Sequence, residues 1–390
     1  MEKTNNTAST SLVIARIFYG VNWFNAAAVF PLIAAELGQD VSLLGAISAA
    51  FLVGVGTFQI PSGIFAARYG LRVTTISGIA VSSAAGLATG LISEASQLIW
   101  LRFVVGMGMA FFFSSGVALI ANYSASKKSA GFSIGIMNSA HSVGGIIGIF
   151  AWILVATAIG WRASLILSGA IGLATALLLA ATLPRGDAPR QPLRRSDILG
   201  ALASRPLISL GLVLTGIQAS WAITLTFLVV YLLDLGVPLA QAGIAASLSL
   251  LSAIVSAPLV GRIYDRKVHD ARKILLACGA GMALGIAAIA SASIIAIAAA
   301  VVAVGFSAGG AFTVAYTRAR KVPVAGGQES HHGGALNVAW VNGLSLLGVL
   351  WMPVVFSLTA KGAGGYPSAW LLSAAIATVF AVIPLSRVGK

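Results

Sequence analysis

Residues 135–148 read GIMNSAHSVGGIIG, inside an apolar run long enough to cross a bilayer. Near the middle of that run stand Asn138, Ser139, His141 and Ser142. Polar groups at that depth are costly unless they face a bundle interior or a water-filled cavity. Asn138, His141, Ser142 and Gly145 follow i, i+3, i+4, i+7 spacing and share one helical face. Gly144, Gly145 and Gly148 let a neighbouring helix come close. Nearly two hundred residues later, residues 334–344 read GALNVAWVNGL. Asn138 matches Asn337, Ala140 matches Ala339, His141 matches Trp340 and Gly144 matches Gly343. The chain therefore reads as two copies of a bundle, each built round one such helix.

The rest of the composition agrees. Of 390 residues, 58% are hydrophobic and 9% charged, and mean hydropathy is +0.96. That excess of apolar residues excludes an ordinary soluble domain. The fold class is an all-α membrane protein with twelve transmembrane helices. Expected spans are 11–36, 42–66, 72–93, 96–121, 129–157 and 161–183, then 206–234, 239–263, 272–291, 293–317, 332–358 and 366–386. Residues 1–183 form one six-helix bundle and 206–390 its pseudo-symmetric partner, with 184–205, rich in Pro and Arg, as a cytoplasmic linker. Of the 24 Lys and Arg, Arg162 and Lys361 fall outside, and Arg16 and Arg102 lie within spans. All the others collect on the side of the two termini, which the positive-inside bias makes cytoplasmic in a cell membrane. The same bias accounts for the net charge of +14, so lipid is the expected partner and nucleic acid is not. The single Cys278, in an apolar run, allows no intramolecular disulfide.

Between spans two and three the chain reads PSGIFAARYGLRVT, and between spans eight and nine GRIYDRKVHDARK. Gly63, Arg68, Gly70 and Arg72 in the first, and Gly261, Asp265 and Arg266 in the second, resemble the G-x-x-x-D-R-x-G-R-[KR] loop of the major facilitator superfamily. Residues 98–110, LIWLRFVVGMGMA, resemble that superfamily's span-four R-x-x-x-G-x-G pattern, and Gly160-Trp161-Arg162 opens span six as is common there. The resemblance covers the whole chain. It implies an alternating-access secondary transporter, with no catalytic residues, whose two halves rock about a central site. It also implies that the acids and arginines of the loops cap helix ends and hold the cytoplasmic side closed. Ala67 stands where the first loop should carry its acid, so the expected latch is lopsided towards Asp265.

None of the ten Asp and Glu residues falls clearly inside a span, whereas Arg16, Arg102 and His141 do. A positive cavity without an acid favours an anion. Arg16 either faces that cavity or snorkels to the headgroups. Arg102 either serves coupling or bonds backbone carbonyls of a neighbouring helix. A histidine there can take a proton near neutral pH, so His141 is the expected proton-coupling residue as well as a substrate ligand. The string NSAHSVGG around it is similar to span five of the organophosphate:phosphate antiporters, although the arginine those carriers place in span one is here Trp23, and span seven has none after Arg205. A small, singly charged organic anion such as a monocarboxylate fits better. Asn22, Asn25, Asn138, Gln218, Trp221, Asn337 and Trp340 complete the expected cavity lining. The competing reading is a proton-driven exporter of amphipathic drug-like compounds. No nucleotide loop occurs, and His331 and His332 stand apart from any cysteine or carboxylate cluster, so neither cofactor nor metal is expected. The expected partners are an anionic small molecule, protons and lipid around a monomer.

Overall fold

The computed structural model describes residues 2–38, 42–124, 129–185, 195–266, 270–323 and 333–386. The expectations for residues 186–194 of the linker and for His331 and His332 fall outside the described residues. Among the described residues all regular structure is helical. The first half contains α1 (Glu2–Leu37), α2 (Ser42–Thr57), α3 (Gln59–Tyr69), α4 (Leu71–Thr89), α5 (Ala95–Tyr123), α6 (Ala130–Ile146), α7 (Trp152–Ile159) and α8 (Trp161–Thr182). After a short helix α9 (Arg195–Leu202) come α10 (Arg205–Asp234), α11 (Leu239–Asp265), α12 (Ala271–Ile289), α13 (Ile294–Arg320), α14 (Gly333–Ala360) and α15 (Gly365–Ser386). Eleven described segments are long and apolar enough to cross a membrane. The pair α2 and α3, bent by 42°, makes a twelfth when counted as one span.

The helix boundaries have local causes. Gly70 separates α3 from α4 at φ +93°, a backbone region that L side chains avoid. Glu94 and Gln97 form a capping box at the start of α5. The side chain of Asp270 accepts the backbone N–H of Lys273 at 2.9 Å to open α12. The short α9 has no counterpart in the sequence reading, because its eight residues carry too little apolar periodicity to stand out.

Span five is not a uniform helix. A five-residue π turn, Ile147–Ala151, joins α6 to α7. Single π turns of this kind sit frequently at functional sites. Just before it, α6 meets α1 where two glycines face each other: a Cβ on Gly144 would lie 2.8 Å from the Cα of Gly20. Only helices without side chains at that crossing approach so closely.

The chain divides into two compact units. Unit 1 comprises residues 1–127, 140–199 and 323–339; unit 2 comprises 128–139, 200–322 and 340–390. Each holds most of one six-span half plus a short piece of one helix from the other half. The divisions fall after Ser139 in α6 and after Ala339 in α14, next to the positions that the internal repeat pairs, Ala140 with Ala339.

Candidate substrate and coupling site

In unit 1, α1 carries three side chains of the candidate site. Arg16, Tyr19 and Trp23 follow one another at three- and four-residue spacing and so share a face. The Arg16 guanidinium lies 4.1 Å over the Tyr19 ring and 4.9 Å from the ring of Phe113 on α5. At 4% exposure Arg16 is buried rather than snorkelling, and cation–π stacking in a desolvated place is worth about 2 kcal/mol. His141 also meets Tyr19: their ring centroids are 5.5 Å apart, edge to face. Trp23 at 5.7 Å and Phe24 at 6.0 Å close the box round the imidazole. His141 is itself half-buried, and its Nδ1 is enclosed without a hydrogen-bond partner. A buried cation and a titratable ring thus share one aromatic plate.

Arg102, 6% exposed, takes the structural option. Its guanidinium donates to the carbonyls of Asn22 at 3.3 Å and Trp23 at 3.4 Å and stacks 4.5 Å from Phe51. It thereby fixes the turn of α1 that carries Trp23. Asn22 and Asn25 are buried against α8: Asn25 Nδ2 donates to Asn22 Oδ1 at 3.2 Å and to Ser168 Oγ at 2.8 Å, and Ser168 donates to Asn22 Oδ1 at 2.9 Å. Asn337 is buried in the same unit. Among the described acids at span ends, Glu36, Glu94 and Asp234 are exposed and Asp265 is half-buried. Glu36 is held by the Trp161 indole at 2.6 Å and by Arg162 at 2.9 Å, so the Gly-Trp-Arg start of α8 clasps the end of α1.

Unit 2 holds the remaining candidates. Asn138 donates to Thr313 at 3.1 Å. Gln218 accepts from Ser345 at 2.8 Å, and the Trp221 indole donates to Ser249 at 2.8 Å. Trp340 is half-buried, with its indole nitrogen enclosed and unpartnered. Asn138 and His141, one turn apart, thus turn to different partners: Asn138 to α13, His141 to α1.

The two motif loops hold helix ends. Both oxygens of Asp265 accept backbone N–H groups at the start of α6, from Gly131 at 2.9 Å and Phe132 at 2.8 Å. A carboxylate at a helix N-terminus gains from the dipole and from the orphan donors there. Gly261 abuts Gly131 directly. In unit 1, Arg72 donates to the carbonyls of Ala180 at 2.6 Å and Leu183 at 3.1 Å, capping the end of α8. Gly63 gives Leu336 its place, since a Cβ there would stand 2.7 Å from the Leu336 Cα. Ala67 is buried, while Arg68 and Arg266 are exposed. Tyr19, Phe113 and Ser168 belong to no motif in the sequence; the spacing of Arg16, Tyr19 and Trp23 is the signal that points to the first of them.

Comparison with known proteins places these features. Relatives include the probable sulfoacetate transporter SauU of Cupriavidus necator, 27% identical over 388 residues, which cover 93% of this chain and 88% of that protein. The 4-hydroxybenzoate transporter PcaK of Pseudomonas putida is 26% identical over 156 residues, 40% of this chain and 35% of that one. The crystal structure of the transporter FucP in the outward conformation superposes with a TM-score of 0.77 over 98% of this chain and 99% of that one, at 15% identity, a likeness of fold. Residues 12–325 match the sequence profile of the Major Facilitator Superfamily. With its apolar spans, its paired helix-capping loops and that match over most of its length, the chain belongs to the Major Facilitator Superfamily and is a multi-pass membrane transporter.

Proposed function

We propose that the protein is a secondary active transporter that carries a small organic anion, such as a monocarboxylate, by alternating access, coupled to protons through His141. One observation carries the reading: Arg16 and His141 both pack on the same Tyr19 ring. A fixed positive charge draws an anion to that face. A bound anion favours the charged form of the half-buried imidazole beside it, so proton and anion favour each other's binding. When the doubly loaded and the empty carriers cross more readily than half-loaded ones, a proton gradient drives anion accumulation. The relatives SauU and PcaK, both named for organic anions, support the substrate class. The aromatic lining of the same box favours the second reading, antiport of amphipathic compounds.

In this reading the protein works as a monomer in the cell membrane with both termini in the cytoplasm. Cysteines introduced at Gly186 and Gly362, with Cys278 replaced, are expected to label from opposite sides of intact cells; labelling of both from outside contradicts the topology. The transport reading is tested by uptake of labelled monocarboxylates into proteoliposomes, with and without an imposed pH gradient. Gradient-driven uptake supports it. Uptake of lipophilic cations in exchange for protons, with no anion uptake, favours the second reading.

The capping of α6 by Asp265 gives a third expectation. Asp265→Asn keeps the shape but loses the charge at the helix N-terminus, an interaction worth about 1 kcal/mol. The population of carriers open to the cytoplasm is then expected to rise about fivefold. Ala67→Asp, which restores the missing acid, is expected to act in the opposite direction. Spin-label distances across the cytoplasmic ends of the helices measure both; unchanged distributions in both variants show that the loops only anchor the chain.

A further inference from the structure

Unit 2 holds a cluster of polar and aromatic side chains that the coupling scheme leaves unused. It draws Gln218 and Trp221 from α10, Phe312 and Tyr316 from α13, and Asn342 and Ser345 from α14. The Ser345 hydroxyl is shared between the Asn342 carbonyl at 2.7 Å and Gln218 Oε1 at 2.8 Å. The Tyr316 hydroxyl donates to Asn342 Oδ1 at 2.7 Å. Both amide oxygens are therefore engaged, and each amide keeps its NH2 group as a spare donor. Beside them runs an aromatic wall. Trp221, anchored by its indole to Ser249, meets Phe312 edge on at 5.8 Å, and Phe312 lies parallel to Tyr316 at 6.1 Å. Gln218, Trp221 and Phe312 are only half-buried, so their own neighbours do not cover this face.

The chemistry of such a face is specific. Two neutral donors suit an acceptor oxygen, and the six side chains include no cation to hold a charge. The rings offer flat apolar area to a flat partner. We infer that this face of unit 2 is a specificity site. It selects, among organic anions, those whose body is a ring bearing an uncharged oxygen acceptor such as a hydroxyl. The inference rests on the organic-anion reading above and narrows its substrate class. Gln218 reads the acceptor oxygen directly, while Ser345 and Tyr316 are positioning residues that orient the two amides.

Calorimetric titration of the purified full-length protein with acetate, cyclohexylacetate, phenylacetate and 4-hydroxyphenylacetate tests it. The wild type is expected to bind 4-hydroxyphenylacetate about 10-fold tighter than phenylacetate, the worth of one added hydrogen bond. Phenylacetate is expected to bind tighter than either compound without an aromatic ring. In Gln218→Leu the two aromatic acids are expected to bind within about twofold of each other. Ser345 keeps the Asn342 carbonyl as its acceptor in that variant, which favours an intact fold. Gln218→Glu, which preserves the oxygen facing Ser345 and removes the donor, is expected to lose the same discrimination. Equal binding of the two aromatic acids by the wild type overturns the specificity site alone, as does equal weakening of both in the variants. Binding of none of the four anions overturns it together with the organic-anion reading.

Discussion

His141→Gln is expected to abolish proton-driven accumulation of the anion while leaving anion exchange measurable. Glutamine keeps a donor at the centre of the aromatic box but cannot titrate. An imidazole in water titrates near pH 6.5, so His141 is the side chain within the described spans whose unperturbed charge changes across the physiological range. With no group to carry the proton, the inward pH gradient no longer does work on the anion. Accumulation should fall to the level reached with collapsed gradients, a loss of up to about tenfold for one proton per anion and a gradient of about one pH unit. Exchange should continue at reduced affinity, because Arg16 and the aromatic plate remain. The replacement is close in volume and the enclosed Nδ1 has no partner to lose, so the melting temperature should stay within a few degrees. Full accumulation by this variant removes His141 from the coupling scheme and turns attention to Glu36, Glu94 and Asp234.

Arg16→Gln is expected to weaken anion binding by roughly 10- to 100-fold, the range for a charge-assisted hydrogen bond in a desolvated site. The loss should appear in the affinity of exchange as well as in gradient-driven uptake, which separates it from the effect at His141. Arg16→Lys keeps the charge but gives up the planar stack on Tyr19 and Phe113, and should fall between the two. Arg102→Gln is the control. Its guanidinium bonds the carbonyls of Asn22 and Trp23, so its loss should lower stability, and change anion affinity only through the shape of α1. An Arg16→Gln carrier with wild-type affinity takes the anion away from this face.

Much of the scaffold is legible in the sequence because its causes are local. Hydropathy alone marks the spans, and the described helices follow them closely, α10 at Arg205–Asp234 against the expected 206–234. Gly70 and Gly160 announce helix breaks, and both adopt positive φ. What each motif residue touches is not local. Asp265 grips Gly131, 134 positions earlier, and Arg72 reaches the carbonyl of Leu183, 111 positions later. No periodicity encodes such pairs. The polar face read around His141 was legible as polar but not as divided, because Asn138 and His141 turn to different helices. Asn22 and Asn25 look like cavity residues in the sequence, yet their amides close a triangle with Ser168, since a buried amide takes whichever neighbour satisfies it.

The central claim is that proton and anion travel together on the face built from Arg16, Tyr19 and His141. Its most direct test is simultaneous recording of labelled anion uptake and internal pH in wild-type proteoliposomes after an anion gradient is imposed with no pH gradient. Movement of the anion down its gradient should acidify the interior in step with uptake, and the acidification should vanish in His141→Gln while exchange persists. Anion uptake with no change in internal pH in the wild type would contradict the account.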